Sequence, residues 1–264
     1  MKSAVIITPT IGTAHLSSCL ESVQKQNYKN LSHLIVIDGE DYQDIVFNIV
    51  KDFKSSHIPI HLITLPKNTG KYGFNGHRIY AGFSYLVEAE IIFFLDEDNW
   101  FDTTHVTLCI ETINKFEVQW VFALRRICQE DGTWVLDDNC DSLGYWKRFE
   151  SYESISDGLD SSLVNFYKEN PFLVDTNCMA ISKHTLTQVG HLWFNGYRAD
   201  AILSNHLVRT QCGASTGFRT VNYRLHSSDE KGMIEYFTSG NKAMDIRYQG
   251  IFPWLNAMYF QPPK

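Results

Sequence analysis

The stretch Ile91-Ile92-Phe93-Phe94-Leu95-Asp96-Glu97-Asp98-Asn99 runs from unbroken apolar residues straight into three carboxylates. A strand that is apolar at every position is one covered on both faces, as the strands of a parallel α/β sheet are. Charge that begins where such a strand ends lies where open α/β sheets gather their ligands, just beyond the carboxyl edge. Upstream, Val5-Ile6-Ile7 reads as a short buried strand ended by Thr8-Pro9-Thr10, and Leu34-Ile35-Val36-Ile37 as a second that stops at Asp38-Gly39. Between them Leu16, Cys19, Leu20 and Val23 recur at helical spacing behind Thr13, a predicted N-cap. A second helix through Ile45, Ile49, Val50 and Phe53, a third strand over residues 58–65 and a third helix carrying Ile79, Phe83 and Leu86 complete an alternating β and α order. That order predicts helices on both faces of a sheet, with Thr8-Pro9-Thr10, Asp38-Gly39 and Asp96-Glu97-Asp98 converging on one crevice.

Downstream of Asn99 the pattern changes. A hairpin is expected around Asp131-Gly132, followed by a Ser- and Asp-rich stretch over residues 137–162 that is too poor in aliphatic side chains to hold a core. This stretch is expected to be a loop or lid over the site. Residues 172–181 read as strand, 183–189 and 198–211 as helices, and 218–225 as a closing strand.

Composition bounds the function classes. In a chain of 264 residues, 44% hydrophobic and 20% charged residues describe an ordinary globular protein. A net charge of -7 leaves no basic footprint for nucleic acid, which is excluded as a partner, or for anionic lipid. Six cysteines without a C-x-x-C pair suggest neither a structural zinc site nor a redox motif. The first apolar run ends too soon at Thr8-Pro9 to be a signal-peptide core, and no later run is long enough to span a bilayer. A cytoplasmic protein is expected, with peripheral contact at the inner face of the membrane as a further expectation. Its aromatic tail, from Tyr248 through Trp254 to Phe260, lacks the basic face of a lipid-binding helix and is expected to pack on the domain or to join two copies as a homodimer.

Several of these segments carry a family pattern. Val5-Ile6-Ile7-Thr8-Pro9-Thr10, the helix with Cys19-Leu20-Glu21-Ser22-Val23 and Gln26, Val36-Ile37-Asp38-Gly39, Asn68-Thr69-Gly70, Arg78 and Leu95-Asp96-Glu97-Asp98 resemble the inverting glycosyltransferases of family 2. The likeness covers roughly the first hundred residues and thins beyond them. It implies a GT-A type fold, α/β, with a Rossmann-like mixed sheet flanked by helices in a single domain that carries a C-terminal acceptor-side extension. Residues 1–99 would be the nucleotide-sugar-binding half and residues 100–264 the acceptor-binding and catalytic half. The implied activity moves a sugar, with inversion, from a nucleoside diphosphate sugar, UDP-linked in most relatives, to a hydroxyl acceptor in glycan or polysaccharide biosynthesis. That acceptor could be a saccharide, a lipid-linked molecule or a protein.

The chemistry explains the residue types. A departing nucleoside diphosphate gathers negative charge, which a divalent manganese or magnesium ion can stabilise as a Lewis acid. Such ions take one or two carboxylates plus phosphate oxygens, so a D-x-D turn at a strand end suits them. Asp98 is the predicted metal ligand, Asp96 shares the ion or faces the ribose, and Glu97 between them points away. The resemblance adds His226 as a further metal ligand and gives Asp38 a hydrogen bond from the base or ribose. Thr8, Pro9 and Thr10 would frame the base, Asn68 and Gly70 belong to the donor-binding loop, and Lys71 and Arg78 would counter the diphosphate.

An inverting transfer also needs a base for the acceptor hydroxyl. In family 2 it comes from a Glu-Asp pair at a helix start, matched here by Ala199-Asp200, so Asp200 is the candidate and Asp175 the reserve. Two rival classes are weaker. A sugar nucleotidyltransferase should have a Gly-rich loop after the first strand, whereas Thr8-Pro9-Thr10-Ile11-Gly12 offers one glycine. A carbohydrate-binding protein without turnover is suggested only by Ala199 standing in place of the family glutamate.

Overall fold

β1 (Ala4–Thr10) is buried at every position, β2 (Leu31–Ile37) at nearly all, and β4 (Ile91–Phe94) throughout, so the three most apolar runs of the sequence form the middle of a sheet. In this computed structural model, which describes residues 1–53, 57–151, 161–228 and 230–263, they lie parallel, with β1 between β2 and β4. The register sets Thr10 opposite Ile37 and Ile7 opposite Phe94, so their polar ends open on one edge. β3 (Ile60–Thr64) pairs in parallel with β2 and closes that side of the sheet.

Helices α1 (Leu16–Gln24), α2 (Gln43–Val50), α3 (His77–Leu86) and α4 (His105–Phe116) cover the faces. On one side Leu16 and Leu20 of α1 and Val46 and Val50 of α2 pack on Ile35 and Ile37 of β2. Thr13 is not the N-cap of α1: the chain enters the helix after His15, and the Thr13 carbonyl accepts the Leu16 N–H at 3.2 Å. The Thr13 N–H is instead taken by the Glu97 carboxylate at 2.9 Å, which fixes the entry from the acidic turn.

The second half extends the same sheet. β6 (Trp120–Cys128), β8 (Met179–Ser182) and β9 (Gly213–Arg224) follow, with β8 inserted antiparallel between β4 and β6, so the sheet is mixed. β5 (Trp100–Phe101) adds to β9, β7 (Trp134–Asp137) adds to β6 through a hairpin at Gly132, and β10 (Met258–Phe260) pairs along β9. Helices α5 (Ser161–Glu169), α6 (Lys183–Val189), α7 (Ala199–Thr210) and α8 (Glu230–Tyr248) complete the order. The strand expected over residues 172–181 is mostly not strand. Asp175 caps a 3₁₀ turn at Thr176–Cys178 by accepting the Asn177 N–H, a local bond that competes with sheet pairing until Met179.

The polar stretch after residue 137 is not a lid over its described part. Asp138, Cys140, Asp141, Ser142 and Leu143 are buried, because Asp138 and Asp141 turn inward to pair with Arg125; residues 152–160 lie outside the described residues. The tail also folds inward. Trp254 is fully buried with its indole N–H on Asn139 at 3.0 Å, and Phe260 packs against Trp120 and Tyr145. The rings on which the homodimer expectation chiefly relied are therefore used within their own chain. Among the described residues no helix is long and apolar enough to cross a membrane.

Candidate active site at the carboxyl edge of the sheet

The acidic turn after β4 is held from three directions. The Asp96 N–H donates to Asn177 Oδ1 at 2.7 Å, while the Asp96 carboxylate accepts from the Tyr80 hydroxyl at 2.7 Å and from Asn177 Nδ2 at 3.0 Å. Glu97 turns to the loop after β1, where its carboxylate accepts from the Thr10 hydroxyl at 2.6 Å, the Ile11 N–H at 3.0 Å and the Thr13 N–H. Arg224, at the end of β9, donates through Nε to the Asp98 carbonyl at 2.8 Å and through a second nitrogen to the Glu130 carbonyl. The turn is thus tied down on its backbone side, and the Asp98 carboxylate takes no part in those bonds.

Of the three carboxylates of the acidic turn, Asp98 has the least complete bonding. Its Oδ2 lies 3.1 Å from His226 Nε2, and its Oδ1 is buried without a hydrogen-bond partner. A buried carboxylate oxygen with no donor is costly unless something else meets it, and a cation is the chemical partner it lacks. Asp96 differs: burial, and then the Asp98 carboxylate, push it up to about 7, even though Tyr80 and Asn177 stabilise its anion. The expected metal trio of Asp96, Asp98 and His226 is therefore not a preformed cage. His226 meets Asp98, but the Asp96 carboxylate is drawn to the nearer donors of Tyr80 and Asn177, and no group of three or more such side chains among the described residues stands ready for an ion. Asp98 with His226 fits a hard divalent ion that completes its ligands from a phosphate and water.

The β2 end of the same edge is built around Asp38. This buried carboxylate accepts from the Thr69 N–H at 2.7 Å, the Thr69 hydroxyl at 2.8 Å and the Gly70 N–H at 2.9 Å, pinning the donor-loop candidates to the end of β2. Glycine is needed at position 70, since a Cβ there would lie 2.5 Å from the Asn75 carbonyl oxygen. Asn68 accepts the Lys71 N–H at 3.1 Å, and the Lys71 side chain is exposed. Arg78 donates to the Thr69 carbonyl at 3.1 Å with its guanidinium 3.6 Å over the Phe74 ring. Thr8 does not face this crevice. Its hydroxyl is fully buried against His33 Nε2 at 2.8 Å, so only the backbone of Thr8, with Pro9 and Thr10, can frame a ligand.

The two base candidates separate clearly. Asp175 is buried with Oδ2 on Arg125 at 2.6 Å and Oδ1 accepting both the Asn177 N–H and Nδ2 at 2.9 Å, so both oxygens already have partners within the fold. The reserve candidate is thus engaged by Arg125 and Asn177. Asp200, in the first turn of α7, is half-buried and accepts the Ala201 N–H at 2.7 Å through one oxygen. Burial, and then the Asp175 carboxylate, push it up to about 6. Because Asp175 raises both Asp96 and Asp200, the acidic turn and the start of α7 feel the same charge.

Arg125 anchors this arrangement and was not singled out in the sequence. Its guanidinium bonds Asp138 at 2.8 Å, Asp141 at 2.8 Å and Asp175 at 2.6 Å, all buried. The available signal was a charge at the end of the apolar run Trp120-Val121-Phe122-Ala123-Leu124, since a charge inside a strand is seldom buried unpaired. Asn177 and Tyr80, which fix Asp96, carried no comparable signal. Arg125→Gln removes the cation that three buried carboxylates share and is expected to cost about 3–5 kcal/mol, measured as a lowered urea midpoint; an unchanged midpoint would show that their remaining partners suffice.

Of the aromatic residues beyond the strand ends, Trp193 is fully buried against Tyr80 and Phe94, and Phe101 stacks on His105 at 3.9 Å. Tyr197 is 71% exposed.

Comparison with known proteins bears on this geometry. The family described as glycosyl transferase family 2 matches residues 5–223. Among solved structures, the chain is similar to S. aureus TarS 1-349 in complex with UDP-GlcNAc, with a TM-score of 0.56 at 13% identity over 86% of this chain and 59% of that one. TarS 1-349 in complex with UDP gives 0.56 at 13% identity over 95% and 72%, and TarS 1-349 alone 0.57 at 12% over 88% and 63%. The likeness at these identities is one of fold, the mixed sheet flanked by helices of the GT-A type, and the chain spans less than two thirds of the first of these structures. No curated protein matches the sequence.

Proposed function

This chain belongs to glycosyl transferase family 2, and from that premise we propose that it transfers a sugar from a nucleoside diphosphate sugar to a hydroxyl acceptor with inversion at the anomeric carbon. The observation that carries the proposal is the Asp98 carboxylate, with one oxygen on His226 and the other buried without a partner at the carboxyl edge of the sheet. UDP as the nucleotude carrier is supported by the UDP and UDP-GlcNAc complexes of the similar TarS fold.

In this reaction the acceptor oxygen bonds to the anomeric carbon as the bond from that carbon to the diphosphate oxygen breaks, and the electron pair leaves with the diphosphate. The proton of the acceptor hydroxyl passes to Asp200, whose raised affinity for protons suits a base working near neutral pH. Asp38, with the Thr69 and Gly70 amides it holds, shapes the nucleoside end, and Thr8, Pro9 and Thr10 line it through backbone. Arg78 and Lys71 stand on the same loop and counter phosphate charge. Asp98 and His226 would hold a divalent manganese or magnesium ion, which when bound supplies Lewis-acid stabilisation of the departing diphosphate. Asp96 orders the turn and faces the donor. The acceptor belongs to a glycan-building reaction, and the protein acts without nucleic acid.

A panel of UDP-, GDP- and dTDP-sugars, each with and without manganese, tests this directly. At a hundredfold excess over Kd, the matching donor is expected to raise the melting temperature by about 5 °C and to release nucleoside diphosphate on turnover. If no member of the panel stabilises the protein and none is cleaved, the transferase assignment fails.

A further inference from the structure

Two exposed tyrosines lie on touching loops near the start of α7. Tyr72 is 95% exposed and Tyr197 is 71% exposed, and Phe194 on the same segment as Tyr197 is 54% exposed. Their loops touch: a Cβ at Gly73 would lie 3.9 Å from the Tyr197 Cβ, and one at Gly196 would lie 3.5 Å from the Phe74 ring. Aromatic rings of this size normally bury 150–250 Å², so rings left in water contribute little to the fold.

The backbone beneath them is held in an unfavourable form. Among the described non-glycine residues with positive φ, Tyr72 at 65°, Asn75 at 46° and Arg198 at 69° fall in these two segments, while Glu117 and Gln249 simply follow helix ends. Left-handed backbone at bulky residues persists only where surrounding bonds impose it, and it concentrates at ligand sites. Here the bonds are present. Asp38 pins Thr69 and Gly70, the Asn75 N–H donates to the Gly70 carbonyl at 3.0 Å, and the Arg198 guanidinium lies 5.1 Å from the Tyr197 ring and 4.6 Å from that of Phe166.

We propose that Tyr72 and Tyr197 form a stacking platform for a saccharide acceptor, delivering one of its hydroxyls to Asp200; this rests on the transferase reading above. A pyranose presents C–H bonds on its faces and hydroxyls around its rim, so a flat ring below and a carboxylate at the edge meet both kinds of surface. Tyr197 lies just ahead of Asp200 in the chain, across the turn that opens α7. Asp38 holds the Gly70 N–H two residues before Tyr72, so the platform begins where the donor-binding segment ends. A lipid surface is the poorer match, because the chain carries a net charge of -7 and both rings bear a hydroxyl.

Saturation-transfer NMR with cellobiose, maltose, lactose and chitobiose, in the presence of UDP and manganese, tests the platform. At least one disaccharide is expected to show saturation on its ring C–H protons, lost in the Tyr72→Ala/Tyr197→Ala double variant and kept in the corresponding Phe double variant. Phe218→Ala, which removes an exposed ring of β9, is expected to leave the signal intact. For that disaccharide, Tyr197→Ala is expected to raise the acceptor KM about tenfold, and Tyr197→Phe to restore it to within about twofold. A signal that persists in the Ala double variant overturns the platform. So does a wild-type protein that cleaves a nucleotide sugar yet binds none of the four disaccharides, or one whose binding to phosphatidylcholine vesicles is lost in the Ala double variant. A wild-type protein that neither binds nor cleaves any nucleotide sugar fails earlier, at the transferase reading itself.

Discussion

Asp98→Asn is expected to lower nucleotide-sugar cleavage and sugar transfer by about a thousandfold while leaving the protein folded. The reasoning starts from what the side chain touches. One of its oxygens has no partner and the other meets His226, whose ring is 65% exposed, so the pair contributes at most about 1 kcal/mol to stability. The bond that ties the turn to Arg224 uses the Asp98 carbonyl and survives the substitution. Removing the charge therefore costs the fold little and goes uncompensated at the diphosphate, where an amide is a poor ligand for a hard cation. The measurement is nucleoside diphosphate release with manganese, paired with a thermal melt. Full turnover by a folded Asp98→Asn protein would remove Asp98 from the metal site.

Asp200→Asn should separate the two halves of the reaction. Transfer is expected to fall by about 10²–10⁴-fold, the usual worth of a positioned base, while donor affinity changes only a few-fold. The pH dependence gives a second readout. With the base titrating at about 6, wild-type kcat should rise as pH increases through that value and level off above it, and the Asn variant should lack this limb. The stability effect has the opposite sign. Asp200 is raised from its ordinary value of 3.8, so protonation favours the folded state; that contribution is full below about pH 4 and disappears as pH rises through about 6. The Asn variant, which has no charge to desolvate, should melt at or above the wild-type temperature at pH 8 and lose this advantage below pH 4. Asp175, Asp141 and Arg148 are the charged groups that act on Asp200. A kcat profile that keeps its limb in the Asn variant would assign the proton to another group.

Much of this site is legible in the chain because its parts are local. Period and burial place Asp38 and Asp96 after β2 and β4, and sheet order then brings those ends together with Thr10, as the 2.9 Å bond from the Asp38 N–H to the Thr10 carbonyl records. Asp200 was singled out by the resemblance to family 2, and it does stand in the first turn of α7. Contacts between distant segments left little trace. Asn177 is separated from Asp96 by 81 residues, and the bond from Arg224 to the Asp98 carbonyl spans 126. Glu97 was expected to point away from the ligand, yet nothing in the turn itself announces that it ties down Thr10, Ile11 and Thr13. The polar stretch is irregular as expected of a loop, but nothing in it shows that Asp138 and Asp141 turn inward, because their partner, Arg125, lies on β6.

By itself, the sequence determined the alternation of strands and helices over roughly the first hundred residues and the edge where their polar ends meet, because hydrophobic period and chain direction are written residue by residue. Only the tertiary structure decided which carboxylates are left incomplete. Asp175 has both oxygens bonded, Asp96 is held by Tyr80 and Asn177, and Asp98 keeps a buried oxygen without a partner. All three are aspartates after apolar segments, and what separates them is the donors that folding brings within about 3 Å, a distance set by packing between segments far apart in the chain.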